Sequence, residues 1–178
     1  MLKFKKNIVK NICFVGFMGS GKSILGRDLS KLYNIEFFDS DLEIEKRIGK
    51  NIDQIFISSG EEHFREIEEK VCIDLLKVEN CIISLGGGSI INSNIRKIIK
   101  KNSFSIYLKV DINILLKRLK SSKKRPLLKY SNKDDIKKLY NEREIFYNKS
   151  DLVIDNNNNK YDAIQKIKVN LKKYDYKN

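Results

Sequence analysis

Short apolar runs alternate along this chain with longer segments of helical periodicity, and this alternation limits the folds that it can adopt. Five runs of strand length lie at 11–15, 36–39, 81–85, 104–110 and 152–154. The segments between them carry apolar residues three or four positions apart, as on one face of a helix. Strands that alternate with helices form parallel sheets covered on both faces. We therefore predict a three-layer α/β fold around a five-stranded parallel sheet.

The first run leads directly into GFMGSGKS, residues 16–23, which matches the pattern G-x-x-x-x-G-K-[ST]. Glycine lacks a Cβ, so backbone N–H groups of such a loop can approach phosphate oxygens closely. The helix predicted for 22–33 adds free N–H groups and a partial positive charge at its first turn. The loop is predicted to bind nucleotide phosphates, with Lys22 bridging the β- and γ-phosphates and the Ser23 hydroxyl on Mg²⁺.

Two aspartates flank a serine after the second run, in the sequence Asp39-Ser40-Asp41. In an extended segment, carboxylates two positions apart face the same side. One of the two carboxylates can then hold the magnesium shell. The other can orient an acceptor hydroxyl and take its proton. The alternative is a capping turn, for which Ser40 is a suitable helix N-cap.

A glycine triplet, Gly86-Gly87-Gly88, follows the third run. Ligands of parallel α/β sheets bind beyond the carboxyl ends of the strands. The phosphate loop, the two aspartates and the glycine triplet all follow strands, so they are expected to meet at one edge of the sheet.

Length and composition indicate one globular domain with a reducing environment. The chain has 178 residues, of which 41% are apolar, and its three cysteines lie far apart. Such cysteines form neither a metal motif nor a disulfide framework, which favours a cytoplasmic protein. No apolar stretch is long enough to span a membrane, and the apolar segment 12–17 is too short for a signal peptide. We expect no membrane partner.

The formal net charge is +13, which has two explanations. A basic protein can bind nucleic acid. Alternatively, the charge reflects compositional drift, because the chain is rich in lysine and asparagine and contains one alanine and seven arginines. The lysines are scattered rather than gathered on one helix face, so we favour drift and expect no nucleic-acid partner.

The motifs together resemble those of the shikimate kinase family. The matching stretches between about 11 and 155 are GFMGSGKSILGRDLS, FFDSDLEIEKRIG, GEEHFREIEEK, LGGGSI, KKRPLL and NEREIFY. The resemblance implies the P-loop fold of the nucleoside monophosphate kinases, as a single domain over 1–178 with a lid at about 120–131. It also implies transfer of the γ-phosphate of ATP to the 3-hydroxyl of shikimate, in the pathway to chorismate and the aromatic amino acids.

The resemblance also assigns site residues, with Lys22, Asp41 and Arg125 in the catalytic roles. Shikimate has one carboxylate and three hydroxyls, and two arginines can clamp a carboxylate. The implied shikimate contacts are Asp41, Arg65, Gly87, Gly88 and Arg143. The implied ATP contacts are Gly19, Ser20, Gly21, Lys22, Ser23, Ile24, Arg118 on the adenine and Arg125 in the lid. With Asp41 at the acceptor, Asp39 is left for the magnesium site beside Ser23. Ile24 stands where the family has threonine, whereas the magnesium ligand Ser23 is intact.

Several of these residues have simpler interpretations. Arg65 could pair only with glutamates of its own helix, and either Glu68 or Glu69 could fix its rotamer. Arg143 could pair with Glu142 or Asp134. His63, the single histidine, is expected at the surface.

Two other functions remain open at this point. A kinase of the same fold group could phosphorylate a nucleotide or gluconate, although a base pocket would not need two arginines beside an aspartate. A basic nucleotide- or nucleic-acid-binding module would explain the charge but leave Asp41, Arg65 and Arg143 without a role. We expect a monomeric kinase that uses one Mg²⁺ with ATP and shikimate.

Overall fold

The computed structural model describes residues 10–120 and 132–177, in which five parallel strands form one sheet. The strands lie in the order β2-β3-β1-β4-β5, so β1 is central and the sheet is doubly wound. Their bounds are β1 (Asn11–Val15), β2 (Glu36–Asp39), β3 (Cys81–Ser84), β4 (Ser103–Lys109) and β5 (Leu152–Asp155). The predicted sheet is confirmed.

Seven α-helices and a short 3-10 turn connect the strands within the described residues. The 3-10 turn, Ser89–Ile91, follows the glycine triplet. The helices are α1 (Lys22–Tyr33), α2 (Ser40–Ile48), α3 (Ile52–Leu75), α4 (Ser93–Asn102), α5 (Ile112–Lys120), α6 (Lys133–Tyr147) and α7 (Lys160–Lys177).

The helices cover both faces of the sheet and give two apolar cores. Helices α1 and α7 pack on one face through side chains such as Leu25 and Ile167, which are fully buried or nearly so. Helices α2 to α6 pack on the other face through side chains such as Ile44, Val71 and Leu115. Burial of both sheet faces explains why β1 and β3 are buried at every position rather than at alternate ones.

The expectation for the Asp39-Ser40-Asp41 segment was wrong in detail. Asp39, not Ser40, is the N-cap of α2, and its side chain accepts from the backbone N–H groups of Asp41 and Leu42. Asp41 therefore lies in the first turn of a helix rather than in an extended segment. Separately, α3 consists of two helical stretches that meet at a kink at Gly60, where the backbone is not helical (φ 78°, ψ 174°), and its capping box is formed by Asn51 and Gln54.

The three cysteines are core residues. Cys13, Cys72 and Cys81 are buried free thiols. Burial raises the pKa of Cys72 to about 12, and that of Cys81 to the same value. Within the described ranges, none of the helices is both long and apolar enough to cross a bilayer.

Candidate active site

The phosphate loop wraps around its own lysine. Lys22 is 8% exposed, and its Nζ donates to the backbone oxygens of Gly16 at 2.8 Å and Phe17 at 3.1 Å. The turn depends on glycine, since Gly16, Gly19 and Gly21 have φ values of 144°, 79° and 96°. The ammonium group is thus held inside the loop that is expected to surround the phosphates.

A hydrogen bond from the residue that follows β5 supports this loop, and the sequence analysis did not predict it. Asn156, one of the many asparagines of this chain, is 6% exposed and donates from Nδ2 to the backbone oxygen of Ser20 at 2.7 Å. Arg118 donates from Nη2 to the backbone oxygen of Asn156 at 2.9 Å. A Cβ on Gly21 would lie 2.9 Å from the Asn156 amide nitrogen, so the absence of a side chain at Gly21 leaves room for Asn156.

Oxygen donors gather beside Ser23, where Mg²⁺ was predicted. The Ser23 hydroxyl donates to Oδ2 of Asp39 at 2.5 Å and lies 3.5 Å from the hydroxyl of Ser84. Ser84 ends β3 and was not among the predicted site residues. Hard oxygen donors of this kind suit Mg²⁺, which keeps water and substrate phosphates as its remaining ligands. The described residues contain no cluster of three or more His, Cys, Asp or Glu able to hold a metal ion.

The glycine triplet lies between Asp41 and the phosphate loop. A Cβ on Gly86 would be 2.5 Å from Oδ1 of Asp41, and a Cβ on Gly87 would be 3.2 Å from the backbone nitrogen of Met18. The Gly86 N–H donates to the buried hydroxyl of Ser40 at 2.8 Å. The missing side chains allow the turn to pack between the two sites, as the sequence suggested.

Arg65 on α3 is held by acidic residues of its own helix. Its Nη1 donates to Glu68 at 2.6 Å, and its Nε and Nη2 donate to Glu61 at 3.2 and 3.0 Å. Burial alone would lower the pKa of Arg65, but the charge of Glu68 and its hydrogen bond raise it. The side chain is still 31% exposed. Glu69, the other partner considered, instead accepts hydrogen bonds from Asn92 and Asn94.

Arg143 on α6 has a different environment. Its residue is 7% exposed, and its Nε has no hydrogen-bond partner among the described residues. Burial lowers the pKa of Arg143, and the positive charge of Arg65 acts in the same direction. Within the described ranges no ion pair joins Arg143 to Glu142, Asp134 or another acid. The simple pairing with Glu142 or Asp134 considered for Arg143 is therefore not found among the described residues.

The structure brings most predicted site residues to the carboxyl edge of the sheet. Lys22, Ser23, Asp39, Asp41 and Gly86–Gly88 lie there together. Arg65 also reaches this edge, since its Nη1 would be 2.5 Å from a Cβ on Gly88. Ile24 is 60% exposed on α1, and His63 is a surface residue 3.8 Å from Glu66. Arg125 and the lid prediction fall outside the described residues.

Comparison with known proteins gives a consistent result over nearly the whole chain. A family model described as shikimate kinase matches residues 18–172. A shikimate kinase of Aquifex aeolicus is 39% identical over 160 residues, which cover 90% of this chain and 95% of that protein. One of Bartonella quintana is 41% identical over 144 residues, which cover 80% of this chain and 69% of that protein.

Solved structures extend the similarity to three dimensions. The shikimate kinase from Acinetobacter baumannii in complex with shikimate matches with a TM-score of 0.85 at 34% identity, over 89% of this chain and 90% of that one. A deoxyadenosine kinase from M. mycoides matches with a TM-score of 0.63 at 17% identity, over 92% and 99% of the two chains. The second match concerns the fold alone.

Proposed function

Because the chain belongs to the shikimate kinase family, we propose that it transfers the γ-phosphate of ATP to the 3-hydroxyl of shikimate at the carboxyl edge of its sheet. The product is shikimate 3-phosphate, on the route to chorismate and the aromatic amino acids. The proposal assigns ATP to the phosphate loop and shikimate to the space bounded by α3, α6 and the glycine triplet.

One observation carries the acceptor assignment: the buried Arg143 guanidinium with an unpartnered Nε. A buried donor without a partner is destabilising, and an ionic ligand that accepts from it recovers that free energy. Arg65 adds a second positive charge, which lies near enough to act to lower the pKa of Arg143. The carboxylate of shikimate supplies the acceptor and the negative charge that this pair of arginines needs.

Asp41 is proposed to bind the 3-hydroxyl of shikimate. Its Oδ1 faces the glycine triplet, which in turn touches the phosphate loop through Gly87 and Met18. A carboxylate in this position can orient the 3-hydroxyl towards the γ-phosphate and take its proton during transfer.

The loop residues hold the other substrate. Lys22 places its charge between the β- and γ-phosphates, and Arg125 is proposed to neutralise charge on the transferred group. Arg118 contacts the backbone oxygen of Gly19 at 3.4 Å, so it connects the proposed adenine side to the loop. The remaining proposed ATP contacts are Gly19, Ser20, Gly21, Ser23 and Ile24.

Ser23 and Asp39 are proposed to hold Mg²⁺, with Ser84 beside them. When bound, the ion supplies positive charge to the β- and γ-phosphate oxygens. We also propose that the enzyme acts as a cytoplasmic monomer without a nucleic-acid partner, and these points stay predictions.

The proposed activity predicts ADP release that depends on shikimate. Purified protein is incubated with Mg²⁺ and ATP, alone and with shikimate, gluconate or nucleoside monophosphates. ADP is expected with shikimate only, because gluconate lacks the ring that spans the clamp and Asp41, and the nucleotides lack the carboxylate. ADP release with another acceptor would contradict the assignment of Arg65 and Arg143 to the shikimate carboxylate. If a folded, ATP-binding protein released no ADP with any acceptor, a non-enzymatic binding module would be favoured. A steep salt-dependent shift of DNA would support the nucleic-acid alternative.

A methyl group at Gly88 is expected to displace Arg65 from its site. A Cβ there would lie 2.5 Å from Nη1 and 3.0 Å from Cζ of Arg65, whereas the φ of −90° at Gly88 suits any residue. Gly88→Ala should therefore raise the shikimate KM about tenfold or more, with the ATP KM and the unfolding midpoint little changed. In an Arg65→Ala background, Gly88→Ala should have almost no further effect. An equal effect in both backgrounds would show that Gly88 acts independently of Arg65.

A further inference from the structure

A buried tyrosine hydroxyl donates a hydrogen bond to the backbone of the glycine triplet. Tyr147 ends α6 and is 0% exposed, and its hydroxyl donates to the backbone oxygen of Gly87 at 2.5 Å. The carbonyl of Gly87 and the N–H of Gly88 belong to one planar trans peptide and point in opposite directions. A hydrogen bond that holds the Gly87 oxygen therefore also sets the direction of the Gly88 N–H.

The same hydroxyl also interacts with Arg143, one of the two arginines proposed to bind the shikimate carboxylate. Tyr147 lies four residues after Arg143, so the two side chains occupy one face of α6. Burial raises the pKa of Tyr147, whereas the charge of Arg143 and a hydrogen bond with it act to lower that pKa. The Tyr147 hydroxyl thus binds the backbone of the glycine triplet and lies close enough to Arg143 for the charge of that guanidinium to act on its pKa.

The Tyr147 ring is fixed by packing that does not involve its hydroxyl. It stacks on the ring of Tyr107, with centroids 5.1 Å apart and planes 26° apart. Tyr107 is also 0% exposed and lies under the phosphate loop, where its Cδ2 would be 3.5 Å from a Cβ on Gly16. Removal of the hydroxyl should therefore leave the ring in place.

We propose that Tyr147 is a positioning residue for shikimate binding, whose hydroxyl holds the Gly87–Gly88 peptide and the Arg143 guanidinium in a fixed relation. The inference rests on the proposed function, which places Gly87, Gly88 and Arg143 in the shikimate site. The residue acts through these groups and not on the reacting atoms. Its effect should appear in acceptor binding rather than in ATP binding.

The test compares Tyr147→Phe with Tyr140→Phe. Tyr140 is a matched control on the same helix, since it is 6% exposed and its hydroxyl contacts Val110, Glu144 and Tyr107 rather than the glycine triplet. Loss of a hydrogen bond to a buried acceptor predicts a rise of about tenfold in the shikimate KM and in the calorimetric Kd for Tyr147→Phe. The ATP KM should stay within about twofold, and Tyr140→Phe should leave the shikimate KM within about twofold. The two unfolding midpoints should fall by similar amounts.

Three results would overturn the proposal: an unchanged shikimate KM in Tyr147→Phe, an equal rise in Tyr140→Phe, or a parallel rise in the ATP KM. Arg143→Ala, measured alongside, separates this inference from the proposed function. If Arg143→Ala does not weaken shikimate binding, the site assignment itself is wrong. If it does but Tyr147→Phe does not, only the role of Tyr147 is wrong. The double variant should show less than additive losses, because the two residues act as one unit.

Discussion

Replacing Lys22 with alanine is expected to lower kcat by about 10³-fold or more, as for the loss of a charged group that stabilises the transferred phosphoryl group. The change has a second consequence in this loop. Nζ donates to the backbone oxygens of Gly16 and Phe17, so its removal also leaves two carbonyls without their present donor. We therefore expect weaker ATP binding as well as slower transfer, measured by steady-state kinetics and by calorimetric titration of ATP.

A suitable control is Lys31→Ala, which removes an exposed lysine from the last turn of the same helix. Its kcat should stay within about twofold of the original, because a surface charge there is screened and distant from the loop. Thermal unfolding of both variants checks that the fold survives. Lys22→Ala with more than about a tenth of the original kcat would contradict a role in phosphoryl transfer.

Changing Asp41 to asparagine should lower kcat by roughly 10²–10⁴-fold, the range for loss of a positioned general base. An amide oxygen can still accept a hydrogen bond from the shikimate hydroxyl, but it cannot take its proton at neutral pH. The shikimate KM should therefore change far less than kcat, and the ATP KM should be unaffected. Initial rates over a matrix of both substrate concentrations give these three values.

Glu43→Gln is the matched control for this change. Both acids lie in the first turn of α2, so both substitutions remove the same charge from the same helix end. Glu43 pairs with Lys46 at 3.8 Å rather than with a site residue. If Glu43→Gln slows turnover as much as Asp41→Asn, the effect comes from the helix terminus, and Asp41 is not the base.

The first half of the fold was predictable almost residue by residue. The expected bounds of β1, α1 and β2 agree with the structure, because a buried strand, a glycine loop and an amphipathic helix each have a local signature. The cap of α2 was assigned wrongly to Ser40, since adjacent aspartate and serine are both good N-caps and only the backbone geometry distinguishes them.

Arg65 shows where local pattern stops being sufficient. Glu68 and Glu69 lie three and four residues beyond it, and either spacing brings side chains together on a helix. Glu68 is 3% exposed and also accepts from Ser89 at 2.9 Å, whereas Glu69 turns towards α4. The rotation of α3 about its axis relative to the sheet determines which glutamate pairs with Arg65. That rotation is set by the packing of many apolar side chains.

The amino-acid sequence was enough to predict the order of strands and helices, the phosphate loop at the first strand–helix junction, and the convergence of this loop, the two aspartates and the glycine triplet at one edge of the sheet. These properties depend on periodicity, glycine spacing and the direction of parallel strands, which are local or topological. The packed fold was needed to reveal that Asn156 supports Ser20 across 136 positions and that Tyr147 holds Gly87 across 60. Such hydrogen bonds need donor and acceptor placed within about 3 Å, and only the packed layers of the complete fold provide that placement.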